Sequence, residues 1–208
     1  MAALIAVVVI AFSYRLFLLF LPPATVTPTD STSGVTISRA EVKADADPPE
    51  HAQMMYSAPP LIPVELKTER HGSNFTINLM AHGEIFDFEK YVSTDDSYSV
   101  SQAAGEDYVP PIPVLQFPLS VGGTPWTWKG NLFSELEAQP SHATITVSTD
   151  KVTIGQSAVS TIRSDVLVVI EPHGTMPGAT RRMTFWFQEG HGLIKRQFGP
   201  TSMREPRG

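Results

Sequence analysis

From Pro63 onward the chain alternates polar and apolar positions with a period of two. Val64, Leu66 and Thr68 alternate with Glu65, Lys67 and Glu69, and Phe75, Ile77 and Leu79 alternate with Thr76, Asn78 and Met80. Successive side chains of a strand point to opposite faces, so this alternation predicts two strands with one buried face each. His71-Gly72-Ser73 between them supplies a turn, and together they predict a hairpin. Residues 83–92, with Ile85, Phe86 and Phe88, predict a third strand. Residues 93–113 are polar and broken by glycine and proline, and read as a long loop. In the second half Ala143, Ile145 and Val147 alternate with Thr144, Thr146 and Ser148. Thr149-Asp150 then reads as a turn before Val152 and Ile154. Residues 166–170 are an unbroken apolar run and residues 183–187 a second, apolar but for Thr184, the pattern of strands; the first is expected to be covered on both faces. Gly190-His191-Gly192 interrupts the pattern before Leu193 and Ile194. No amphipathic helix is evident. The predicted class is mainly β: an antiparallel curved sheet, open barrel or sandwich.

The N-terminal part obeys a different pattern. Residues 2–21 are apolar except for Ser13, Tyr14 and Arg15. As a helix they would be about 30 Å long, the thickness of a bilayer's hydrocarbon core. Arg15 lies past the middle, where its long side chain can snorkel outward. Pro22 and Pro23 end the run. A transmembrane anchor over residues 1–23 is expected, with a cleaved signal peptide as the rival; the rival lacks a basic start and a good cleavage site. Nothing basic precedes the helix, so the default is translocation of the acidic remainder, giving a single-pass protein with a periplasmic or extracellular domain. Residues 24–62 have no sustained period and are rich in Pro, Ser, Thr and Ala, so a disordered linker is expected there. Met54, Met55 and Tyr56 form an apolar island within it. The antiparallel β domain is placed at 63–199 and a basic tail at 200–208.

Charge and composition narrow the chemistry. A formal net charge of −6 and no broad basic surface argue against nucleic-acid binding. The chain has no cysteine, which excludes disulfides, thiolate catalysis, cysteine metal sites and lipid attachment through cysteine. The histidines form neither an i, i+4 pair nor an H-x-H pair, and no serine lies in a G-x-S-x-G setting, so no catalytic residue, metal site or cofactor is assigned. Glu84, Asp87, Glu89, Asp95 and Asp96 read as a solvated acidic face, and Lys195, Arg196, Arg204 and Arg207 as a solvated basic end. Gly190 and Gly192 read as a structural turn where glycine supplies positive φ or close approach. Trp126, Trp128 and Trp186 are the candidate ligand-binding side chains. Trp126 and Trp128, two apart on a strand, share a face. Core packing and an apolar ligand surface are both open to them.

Three motifs occur in a recurrent order. They are Phe117-Pro118-Leu119-Ser120-Val121-Gly122-Gly123 with Trp126-Thr127-Trp128, then Val152-Thr153-Ile154-Gly155, then Phe185-Trp186-Phe187-Gln188-Glu189-Gly190-His191-Gly192-Leu193-Ile194-Lys195. This order resembles bacterial cell-envelope β-domain proteins of unknown function, many of them lipoproteins or single-pass proteins. Some share the curved-sheet fold of the lipoprotein carriers LolA and LolB. The resemblance covers roughly residues 113–198 and brings no catalytic residues. His191 departs from it, since an aliphatic residue is usual there. It implies an envelope module that is not an enzyme, binding an apolar ligand such as a lipid or a peptide, or an envelope protein partner, near the membrane. The alternatives are a structural or assembly protein without a small ligand, and a hydrolase or metal-dependent enzyme.

Overall fold

The computed structural model describes residues 62–134, 138–154 and 156–199, together with strand segments at 36–37, 51–56 and 202–203. The expected anchor at 1–23 lies outside the described residues, as do residues 24–35, 38–50 and 57–61 of the expected linker and residues 204–208 of the tail. Within the expected linker lie two strands, β1 (Thr36–Ile37) and β2 (His51–Tyr56), and the apolar island belongs to the second.

The alternating stretches form strands β3 (Ile62–His71), β4 (Asn74–Ala81) and β5 (Glu84–Ser93). Then follow β6 (Ser97–Ala103), β7 (Glu106–Gln116), the two-residue β8 (Leu119–Ser120) and β9 (Trp126–Phe133). The second half contributes β10 (Ala138–Ile154), β11 (Ser157–Ile170), β12 (Ala179–Gln188), β13 (Gly192–Phe198) and β14 (Ser202–Met203). From β2 to β13 each strand pairs antiparallel with its chain neighbour, except that β8 leaves the row to pair with β1, so β7 lies beside β9; β14 pairs with β12. The result is one long antiparallel meander, curved into a half-barrel.

The curl follows from the side chains. Phe75, Tyr91 and Tyr98 on β4 to β6 cluster with ring centroids 5.2 to 5.7 Å apart. Phe185 and Phe187 of β12 meet Tyr91 and Tyr98 edge-on, at 6.5 and 5.3 Å. Each such pair contributes about 0.5–1.5 kcal/mol beyond its buried area. The Ser164 hydroxyl on β11 donates to the Val114 carbonyl of β7 at 2.6 Å. The concave faces of the two halves therefore pack on each other, and the interior is filled by the protein's own side chains.

Three sequence expectations are corrected. The stretch 93–113 is not a long loop but contains β6 and most of β7; its turns are short, and Tyr98, Val100, Tyr108 and Ile112 are buried in the core. Thr149-Asp150 is not a turn, because β10 continues through it in register with Ile162 and Thr161 of β11. In the apolar run 166–170, Leu167 is exposed, so the run is not covered throughout on both faces.

The seam between β7 and β9 has an unusual solution. Pro110, Pro111 and Pro113 give β7 no N–H at those positions. Ladder pairing of β7 with β9 ends at Val109 opposite Asn131. Beyond it the indole N–H of Trp128 donates to the Pro110 carbonyl and that of Trp126 to the Pro113 carbonyl, each at 3.0 Å. Side chains thus satisfy acceptors that the broken ladder leaves. Gly130 permits the approach: a Cβ there would lie 2.5 Å from Trp128 Cζ2 and 2.5 Å from the Val109 carbonyl oxygen. We predict that Gly130→Ala destabilises the fold by about 1–3 kcal/mol, the usual range for overpacking. Thermal unfolding checks this, and an unchanged midpoint would show that the seam tolerates a wider spacing.

Candidate functional site

The three candidate tryptophans do not form one site. Trp128 is a member of the inner core and Trp126 packs against it partly buried, so the pair shares the concave face. Trp128 also meets Tyr108 edge-on at 6.5 Å. Trp186 alternates with the core residues Phe185 and Phe187 and so points to the convex face. It is buried there by polar neighbours. Its indole N–H donates to Asp150 Oδ2 at 2.9 Å, while Lys195 Nζ stands 4.4 Å and Arg163 Cζ 5.7 Å from its ring centroid. Arg163 in turn pairs with Asp165, which accepts from the Thr184 hydroxyl. Gly190 and Gly192 have φ of 72° and 77°, and His191 between them is exposed.

The interior carries a second constellation, which includes Glu89 and Arg196, expected in solvent, and Glu106 and Tyr108, expected in a loop. Glu89 and Tyr91 on β5, and Glu106 and Tyr108 on β7, repeat one spacing: a glutamate and a tyrosine two apart, hence on the same inward face. In each pair the tyrosine hydroxyl donates to the glutamate Oε2, at 2.7 Å from Tyr91 and 3.3 Å from Tyr108. An arginine from the other half of the sheet closes each pair. Arg196 of β13 donates through Nε to Glu89 Oε1 at 2.6 Å. Arg181 of β12 donates through Nε to both Glu106 oxygens, at 2.9 and 3.0 Å, and through Nη2 to Oε1. Two glutamate–tyrosine–arginine clasps therefore bridge the halves of the half-barrel.

Electrostatics follow from this enclosure. Burial pushes the Tyr91 hydroxyl well above the ordinary phenol range, and the Glu89 carboxylate adds to the shift. Tyr108 is raised by burial and by Glu106 in the same way. Burial alone would lower the Arg196 pKa, but Glu89 outweighs it and the guanidinium is held charged. Glu89 and Arg196 thus correct the expectations of a solvated acidic face and a solvated basic end. Both are buried, with side-chain exposures of 4% and 8%, and they form an ion pair. The signal that could have found them is the repeated Glu-x-Tyr in strands whose inner face is otherwise apolar. Among the described residues no group of three or more His, Cys, Asp or Glu side chains is placed to hold a metal ion.

The outer surface has its own asymmetry. Ile85, Phe86, Phe88, Val109 and Phe133 are large apolar residues left exposed, led by Ile85 at 55% and Val109 at 52%. The register sets Lys90, Gln102, Asp107 and Phe133 in one row across β5, β6, β7 and β9. Ile85, Phe86 and Phe88 lie just beyond this row on the β4–β5 hairpin, and Val109 two residues inside it. Exposed apolar surface thus gathers at the end of the sheet where this hairpin turns, with Glu84 and Asp107 exposed among it.

Two predictions follow from the clasps. Arg196→Met should cost about 3–5 kcal/mol, because it leaves Glu89 charged and buried without its partner. The double variant Glu89→Leu with Arg196→Met should recover most of that loss; denaturant unfolding of both decides, and a full-sized loss in the double variant would mean that packing, not charge, dominates. Separately, the raised tyrosine pKa values mean that the folded state holds these protons more tightly than the unfolded state. The stability they contribute is complete below about pH 10 and is lost as pH rises toward the folded values. The melting temperature should therefore fall steeply above about pH 10, with a shallower fall in Tyr108→Phe. Tyrosinate absorbance titrating near pH 10 with the fold intact would contradict this.

Comparison with known proteins finds no matching family model, no matching curated protein and no matching solved structure.

Proposed function

We propose that this chain is a membrane-anchored, extracytoplasmic β module that works by contact with a protein partner and catalyses no reaction. In this reading residues 1–23 span the membrane, residues 24–35 tether the β-rich part, and the half-barrel presents its surface on the far side. The family resemblance of residues 113–198 to cell-envelope β proteins belongs to the same proposal. The observation that carries the choice of partner over apolar ligand is the state of the two faces. The concave face is filled by Tyr91, Tyr98, Phe185, Phe187 and Trp128, whereas the largest apolar side chains left to solvent cluster beside the β4–β5 hairpin. Exposed apolar side chains gathered at one end of a folded domain are a mark of a protein contact. Glu84, Lys90 and Asp107 among them match a partner with apolar side chains flanked by charges of both signs.

A photo-cross-linking amino acid at position 86 of the full-length protein tests this in its native membrane. A discrete protein adduct is expected from position 86 and none from position 73, which lies in the β3–β4 turn at the opposite end of the sheet. Ile85→Ser should weaken the adduct about tenfold, the effect of losing an apolar contact of the order of 1–2 kcal/mol, without lowering the melting temperature, since the side chain is half exposed. Cross-links only to lipid, or equal adducts from both positions, would overturn the reading.

A further inference from the structure

We propose that the half-barrel stands on the bilayer by its β8 end and holds the β4–β5 hairpin away from the membrane. The inference rests on the anchor reading above and adds to it which surface faces lipid.

The register fixes the two ends of the sheet. At one end lie the β3–β4 turn, the β5–β6 turn, the β7–β9 connection and the β12–β13 turn, with the β10–β11 hairpin projecting beyond them from Val147 to Ile154. Backbone hydrogen bonds tie three of these together: Ser93 N–H to the Ser73 carbonyl, and Phe117 N–H to the Asp96 carbonyl, each at 2.8 Å. The connection also reaches β10, where Gly122 N–H donates to the Val147 carbonyl at 2.9 Å. At the other end lie the β4–β5 and β6–β7 turns and the exposed apolar residues.

β1 chooses between these ends. Thr36 and Ile37 pair with Ser120 and Leu119 of β8, inside the β7–β9 connection. The chain is therefore pinned to the first end at residue 36. Between Pro23 and Thr36 there are 12 residues, 24 to 35. Even fully extended they span no more than about 40 Å. The 10 residues of β5, which runs from the β4–β5 turn to the β5–β6 turn, cover about 35 Å. With the β8 end toward the bilayer the tether has slack. With the β4–β5 end toward the bilayer, the same tether would have to run back along the whole sheet, using nearly its full reach, and chain entropy disfavours that. The surface that meets lipid headgroups is then the β10–β11 hairpin with the turns around Ser73, Asp96, Gly122 and His191. The apolar hairpin at Ile85 to Phe88 is kept clear of the membrane and open to a partner.

The absence of native cysteine allows a direct test. Single variants Ser73→Cys, His191→Cys and Glu84→Cys of the full-length protein are labelled with a fluorescent donor. Each is reconstituted into phosphatidylcholine vesicles carrying an acceptor lipid. Transfer from positions 73 and 191 should exceed that from position 84 about twofold or more, since a strand length of about 35 Å separates the ends. Inserting about 30 Gly/Ser residues after position 30 should erase the difference, because the tether then exceeds the sheet in reach. Ser120→Pro, which removes a β8 backbone donor at the β1 contact, should reduce it. Equal transfer at both ends, or stronger transfer from position 84, in protein that floats with the vesicles would overturn the orientation alone. Protein that fails to float with vesicles would overturn the anchor reading and the orientation with it.

Discussion

A single antiparallel meander has one difficulty that shapes everything else here: no second layer covers its apolar face. Among the described residues there is no helix to do so. The sheet must bury that face against itself, and this requires the early strands to lie across from the late ones. Hence Tyr91 meets Phe185, Tyr98 meets Phe187, and Tyr108 approaches Met183. The contacts join residues far apart in the chain, so the curl is a property of the whole sheet and no single hairpin has it. Aromatic side chains suit the task, since each covers a large area with few rotatable bonds. The buried clasps sit at the same crossing. Removing a charge from water is costly unless it is paired and hydrogen-bonded. Glu89 and Glu106 each have an arginine from the opposite half and a tyrosine from their own strand. Because such pairs are satisfied only when the two halves are in register, they select one way of closing the sheet.

The same need for cover explains the seam at β7. Prolines are excluded from central strands because they lack the donor that a ladder needs. β7 nonetheless lies inside the sheet and carries three of them. The conflict is resolved by letting β7 and β9 part after Val109 and filling the gap with Trp126 and Trp128, whose N–H groups reach the proline carbonyls. Each indole supplies apolar cover and one donor together, which no aliphatic side chain can do. The pairing of Trp-Thr-Trp with the proline-rich strand is therefore a packing device first.

The legibility of this fold in its sequence follows from those physics. Where one face is wet, the period of two is visible, and residues 64–69, 75–80 and 143–148 lie in strands as their alternation predicts. β6 and β7 were hidden for two reasons. Prolines signal loops unless a side chain replaces the missing donor, and that replacement comes from a strand more than ten residues away. For the clasps the repeated Glu-x-Tyr marks the inward residues but not what they pair with. Only the tertiary crossing brings Arg181 and Arg196 to them, at sequence separations of 75 and 107. Trp186 was grouped with the other tryptophans by type. Its alternation with Phe185 and Phe187 already placed it on the other face, where Asp150, Arg163 and Lys195 enclose it.

A sheet that consumes its own concavity presents only its convex face, ends and edges to solvent. Its described interior is occupied by aromatic rings and closed ion pairs, so register and turns decide what the ends and edges of the strands present. The two ends are chemically unlike. One is bound together by backbone hydrogen bonds among its turns and holds β1. The other extends a hairpin whose Ile85, Phe86 and Phe88 keep much of their area in water. Exposed aromatic and branched side chains weaken solubility. Their concentration on the end away from β1, and not around the hydrogen-bonded turns, is the feature on which the proposed contact surface rests.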